Sequence, residues 1–216
     1  MLGVALLLVV SACGNDPVDP GTPAPDRTPG SGTMPTAPPE GGVNRPQTGL
    51  YVYELTSTGE TEVPAGTKIT IDVSADGDLF TTLQTNNRNS NTAAVKEQWD
   101  ANRVLRISTT VKVGDDEGVC VFEPSVETIR IPLKVEVYPD QEWSGENCEG
   151  TTTIRVTRQQ NVEDAGGRVW PTWKIEEKTM GESRTHLVRF FSPALGVDIR
   201  TEDRRNLTIS VLSSNP

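Results

Sequence analysis

Between residues 50 and 212, apolar side chains recur at every second position in one run after another. The longest run sets Ile129, Ile131, Leu133, Val135 and Val137 against Arg130, Pro132, Lys134, Glu136 and Tyr138. Ile69, Ile71 and Val73 repeat the pattern, and Leu105, Ile107, Val111 and Val113 alternate with Arg106, Ser108, Thr110 and Lys112. Ile154 with Val156, Val197 with Ile199, and Leu207 with Ile209 and Val211 continue it. A period of two gives a strand one dry face and one wet face, because successive side chains point to opposite sides. Turn formers separate the runs at Pro64-Ala65-Gly66, Asp76-Gly77-Asp78, Asp100-Ala101-Asn102, Asp115-Asp116-Glu117-Gly118, Gly166-Gly167 and Gly181. Only 92–103 competes for helix, through Ala93, Ala94, Lys96, Glu97 and Gln98. The turn at Asp100 and the alternating run behind it make 95–113 a hairpin instead. The expected fold is all-β, an antiparallel meander of about ten strands forming a barrel or curled half-barrel, with a β-sandwich as the alternative.

The chain ahead of this domain has a different character. Residues 2–9 form an apolar run that leads into Val10-Ser11-Ala12-Cys13. Such a run has the length of a signal-peptide core and falls short of the roughly 20 residues that cross a bilayer as a helix. Val10-Ser11-Ala12-Cys13 resembles the lipobox of bacterial lipoprotein precursors, whose small residues lie extended in a peptidase site and whose cysteine thiol receives diacylglycerol. The resemblance implies a lipoprotein signal peptide over residues 1–12, lipidation at Cys13, and a mature protein anchored by that lipid to the extracytoplasmic face of the cell membrane. An ordinary secretory leader followed by an unrelated cysteine is the alternative, and both predict export. Met1-Leu2-Gly3 lacks the basic start of a signal peptide, which points to a start codon further upstream.

Residues 14–48 hold nine prolines and six glycines, with Val18, Met34 and Val43 the only apolar side chains of any size. Such a stretch cannot build a core. Residues 13–48 therefore read as a lipidated cysteine and disordered tether, able at about 3.1 Å per residue to reach roughly 100 Å, and 49–216 as a single β domain.

Charge and cysteine usage narrow the partners. The chain carries a formal charge of -10, and removing the tether's Asp16, Asp19, Asp26, Glu40, Arg27 and Arg45 leaves -8 on the domain. That sign opposes a nucleic-acid backbone, and the absence of any Lys/Arg cluster leaves membrane attachment to the N-terminal lipid. With Cys13 acylated, Cys120 and Cys148 are left to pair as a disulfide in an oxidising compartment, with two free thiols as the alternative. Two distant cysteines and one histidine do not make a four-ligand set, so neither a metal nor another cofactor is expected.

The order Trp99, a turn and strand, Cys120-Val121-Phe122-Glu123-Pro124, Ile131-Pro132-Leu133, Trp143, Cys148 and Trp173 leads to Phe191-Ser192-Pro193-Ala194-Leu195-Gly196-Val197-Asp198-Ile199-Arg200. This series resembles a group of actinobacterial exported proteins and lipoproteins of undefined function. It covers most of 50–205, with Phe191 where a tryptophan is common. The meander is also similar in design to the half-barrels of bacterial lipoprotein carriers. Likenesses of this kind imply a fold and a compartment but no activity. Within the last motif, Ser192-Pro193 should end a strand, Gly196 should permit a tight reversal, and Val197 with Ile199 should restart the alternation.

Catalytic signatures are thin. His186 stands between Thr185 and Leu187 with no Gly-x-Ser-x-Gly elbow and no nearby cysteine, so no enzyme is expected. Asp72, Asp76 and Asp78 around Gly77 miss the spacing of a calcium loop and read as a turn. Trp143, Trp170 and Arg200 are the candidate ligand-facing residues, with Asp198 beside Arg200, whereas Trp99 and Trp173 share faces with Val95 and Ile175 and read as core. Two functions follow: a module that binds an apolar ligand or envelope lipid in its interior, or an interaction lipoprotein with a packed core that meets another envelope protein. Small inward residues such as Ala94 or Thr109 opposite large ones would favour a cavity.

Overall fold

A computed structural model describes residue 38 and residues 41–59, 63–146, 148–181 and 184–216. The signal peptide, Cys13 and most of the tether inferred from sequence lie outside the described residues. The fold is all-β. Its strands are β1 (Gly49–Ser57), β2 (Lys68–Asp76), β3 (Leu79–Asn86), β4 (Thr92–Trp99), β5 (Arg103–Val113), β6 (Asp116–Arg130) and β7 (Glu136–Val137). They continue with β8 (Gln141–Gly145), β9 (Cys148–Glu163), β10 (Val169–Gly181), β11 (Thr185–Ser192), β12 (Val197–Asp203) and β13 (Thr208–Ser214). Twelve of these close an antiparallel barrel, because β10 pairs with β9, β13 returns to β1, and β8 joins β6. β7 is the extra strand, a two-residue bridge on β9.

The competing helical segment is strand β4, and β4 with β5 forms the expected hairpin. The longest alternating run behaves otherwise: β6 stops at Arg130, residues 131–135 are irregular, and only Glu136–Val137 pair again. Pro132 has no N–H to give a ladder, and the amide of Leu133 is drawn away to Gly41 O at 2.7 Å. Val135 and Val137, expected on the dry face, are 66% and 55% exposed. A second departure lies in β5, whose pairing with β6 shifts between Arg106 and Ser108. That bulge turns Arg106 inward, although the alternation had assigned it to the wet face with Ser108.

Tyr51, Tyr53, Ile69, Val73, Ile154 and Ile175 are among the side chains that fill the barrel interior. Outward neighbours such as Glu54, Asp72, Lys96, Arg155 and Lys178 are exposed. A lysine or arginine at mid-depth on a lipid-facing wall costs about 2–4 kcal/mol, so this outer face is made for water.

Residues 41–48, which composition had assigned to the tether, lie as a strap across one end of the barrel. Asn44 N donates to Pro193 O at 2.8 Å and Asn44 Nδ2 to Ala194 O at 3.0 Å. The Arg45 guanidinium reaches Trp99 O at 3.1 Å and Asp78 at 2.6 Å, Val43 packs on the core, and Pro46 is buried. The β11–β12 corner forms as its sequence implied, with β11 ending at Ser192, β12 starting at Val197, and Gly196 at φ 70°. Gly196 is required twice, since any Cβ there would also collide with Asn44 O and with Pro46 N of the strap.

The wall has one weak seam. β6 and β8 share a single backbone pair, Glu123 with Ser144. Side chains complete the closure: Gln141 accepts from Glu127 N at 2.6 Å and donates to Glu127 O at 3.0 Å, and the Tyr138 hydroxyl accepts from Arg130 N at 2.7 Å. Arg130 adds ion pairs to Glu127 at 2.7 Å and Glu136 at 2.9 Å. The Cys120–Cys148 disulfide ties β6 to the start of β9 across the same seam.

Candidate functional site

The alternation that turns Val95 and Trp99 of β4 inward carries Glu97 inward between them, and the same geometry turns in Glu177 between Ile175 and Thr179, and Arg189 between Leu187 and Phe191. With Arg106 and Asp198 these form a charged band inside the barrel. Arg106 donates to both Glu177 oxygens, at 2.6 and 3.2 Å. Arg189 donates to Asp198 at 2.9 Å and lies 3.6 Å from Glu177. Glu97 stands 4.0 Å from the Arg106 guanidinium. The Tyr53 hydroxyl donates to Asp198 O at 2.9 Å, tying β1 to the band.

Two glutamates near the same arginines respond in opposite directions. Burial alone would raise the Glu177 carboxyl, but the charge and hydrogen bonds of Arg106, with Arg189 behind it, pull it below its ordinary value. Burial likewise raises Glu97, the attraction of Arg106 and Arg189 offsets only part of this, and the charges of Glu177 and Asp198 add to it, so Glu97 stays above its ordinary value. For Arg106, burial would lower the guanidinium and the Glu177 charge overcomes it, leaving it raised. A carboxyl whose folded pKa is raised gives full stability below its unfolded pKa and loses it as pH rises through the folded pKa. Glu97→Gln should therefore melt higher than the wild type at neutral pH, and the two melting curves should converge as the pH falls to the ordinary carboxyl range. Thermal melts across that interval measure it, and a gap independent of pH would contradict the assignment.

The band borders two cavities. The larger, about 210 Å³, has an apolar side from Tyr51, Ile69, Val73, Phe80 and Trp99 and a charged side from Glu97, Arg106, Arg189 and Asp198. Pro46 of the strap and Gly196 lie at one end of it. The smaller, about 70 Å³, is bounded by Cys120, Phe122, Trp143, Thr152 and Thr179, and shares Val95, Arg106 and Leu187 with the larger.

Of the candidate ligand-facing residues, Trp143 lines the smaller cavity, stacked edge-on to Phe122 at 4.7 Å with its indole N–H donating to Thr152 at 2.9 Å. Trp170 is packed in the wall and donates to Asp164 at 2.9 Å, and Arg200 sits over Phe190 on the outer side and pairs with Glu202 at 2.8 Å; neither borders these cavities. Trp99 does line the larger cavity, while Trp173 is buried with Ile175. Thr109 faces the smaller cavity as expected, but Ala94 does not border either one; its neighbour Ala93, on the face of Val95 and Trp99, lines the larger. His186 pairs with Glu176 at 2.8 Å on the outer side of β11. Glu97, Arg106, Glu177 and Arg189 were not singled out from the sequence; the available signal was a charge repeated at inward positions of three strands. Set against known proteins, the chain matches no family model, no curated protein and no solved structure.

Proposed function

We propose that the barrel is a ligand-binding module, carried on a lipid anchor at Cys13, whose lumen takes a small molecule with an apolar body and a polar end. One observation carries this reading: inward side chains such as Ile71, Thr82, Gln84, Ala93 and Thr201 are only half-buried around the 210 Å³ space. An interaction protein with a packed core would fill that space. An apolar cavity of about 150 Å³ is enough for benzene, and drug-sized sites run to about 300–1,000 Å³. The ligand on this scale is a ring-sized compound or a short chain, and a whole envelope lipid exceeds the lumen.

The test is to fill the space. Benzyl alcohol should raise the melting temperature of the wild type, since a ligand that binds only the native state stabilises it by mass action. Ala93→Trp should keep the β circular-dichroism spectrum and lose the shift. An absent shift in the wild type, or an equal shift in both proteins, would favour the packed-core interaction reading.

A further inference from the structure

We propose that the polar end of the ligand is an organic cation, a primary ammonium on an aromatic or short aliphatic body, and that Glu97 is its counter-ion. This rests on the lumen being a ligand site, and it comes from how the charges there pair. Arg106 is held by Glu177 at 2.6 Å and Arg189 by Asp198 at 2.9 Å. Glu97 is left over: the Arg106 nitrogen nearest to it, the unpartnered Nε, is 4.0 Å away, and its carboxylate has no hydrogen bond among the described residues. Asp203, also on the cavity, is held by uncharged donors, the backbone amides of Arg205 and Asn206 at 2.9 and 3.0 Å and the Asn206 side chain at 2.8 Å. Its charge therefore adds to the excess.

Aromatic faces stand where a cation would sit. Phe80 is directly opposite Glu97 in the β3–β4 ladder, and Trp99 is two residues further on the same face, its ring centroid 5.8 Å from that of Phe80. Directly opposed residues have Cβ atoms about 4.5–5.5 Å apart, so an ammonium beside Glu97 meets the Phe80 ring. An anionic head would meet the carboxylates of Glu97 and Asp203, and a neutral one would leave the Glu97 carboxylate with no cation nearer than Arg106 at 4.0 Å. Since a proton and the ligand's cation compete for one carboxylate, ammonium binding should tighten as pH rises from acid to neutral. The other charged groups facing Glu97 are Arg106, Arg189, Glu177 and Asp198, and each of these has a partner of opposite charge.

Titration calorimetry on the full chain with benzylammonium, benzyl alcohol and benzoate tests this with three probes of nearly one size. Benzylammonium should bind about tenfold or more tightly than benzyl alcohol, with benzoate weakest. Glu97→Gln should bring benzylammonium and benzyl alcohol to within about twofold of each other. The wild-type pH series stands independently of that variant: benzylammonium should tighten on leaving acid, and benzyl alcohol should not. Benzyl alcohol or benzoate binding at least as well as benzylammonium would overturn the cation while leaving the lumen a site, as would a preference that survives Glu97→Gln. Binding by none of the three would overturn both readings.

Discussion

Glu177→Gln should destabilise the protein by about 3–5 kcal/mol, the cost of breaking a buried charge pair with its two hydrogen bonds and leaving Arg106 only the more distant Glu97, 4.0 Å away. The Glu177 side chain is only 2% exposed and is shared by Arg106, with two hydrogen bonds, and Arg189. For a domain of this size, that corresponds to a fall in melting temperature on the order of 10 °C. Replacing the pair together, Arg106→Met with Glu177→Leu, should cost less, because both members of the hydrogen-bonded pair are gone and Glu97, which loses Arg106, is already biased toward its protonated, uncharged form. The pH dependence has a fixed sign. Glu177 has a lowered folded pKa, so its contribution is present above the ordinary carboxyl range and is lost as pH falls through the folded value. The deficit of Glu177→Gln should therefore shrink in acid. A single-substitution cost below about 1 kcal/mol at neutral pH would mean that water reaches the band and that the lumen is not the low-dielectric space its wall implies.

The second large effect is at the seam. Cys120→Ser combined with Cys148→Ser should cost about 3–4 kcal/mol on the chain-entropy account for a loop with a sequence separation of 28. Its local consequence should exceed that of a disulfide inside a well-paired sheet, because β6 and β8 share one backbone pair. Without the bridge, the closure rests on Gln141, Tyr138 and Arg130. Hydrogen exchange should then quicken at 120–130 and 141–152 ahead of the β1–β5 wall. Identical denaturant midpoints with and without reductant would show that the seam needs no staple.

The fold class was legible because a half-buried strand writes its burial into the sequence with a period of two, and β2, β4 and β12 form where that pattern and its turns place them. β13 forms in the expected place but turns the other way: Leu212, Ser210 and Thr208 stand opposite Tyr53, Leu55 and Ser57, whereas Leu207, Ile209 and Val211, expected on the dry face, are not buried and Leu207 is 47% exposed. Closure was not legible. It depends on which edges meet, and the meeting of β6 with β8 is made largely by the Gln141, Tyr138 and Arg130 side chains, which pattern reading sees only as polar positions. The run from Ile129 misled because apolar alternation continued through Pro132, whose missing donor ended the ladder. Arg106 was misplaced by a bulge, since one extra residue reverses every later assignment in a strand. The disulfide was legible from the cysteine count, since acylation of Cys13 leaves Cys120 and Cys148 to pair, and it forms. The charged lumen was hidden for a different reason: Glu97, Glu177 and Arg189 sit at inward positions, but surface charge is so much commoner that single strands give no cause to suspect them. Only the closed barrel brings the three strands face to face.

The central claim is that the barrel interior holds a ligand, and native mass spectrometry of the full chain, followed by solvent extraction, tests it most directly. Any acyl group on Cys13 would be covalent and survive denaturation, so a lumen ligand is the mass present under native conditions and absent under denaturing ones. The account predicts such a mass, small enough for a space of about 210 Å³ and reduced by Ala93→Trp. A native mass equal to the denatured mass, unchanged by Ala93→Trp and by added benzyl alcohol or benzylammonium, would contradict it.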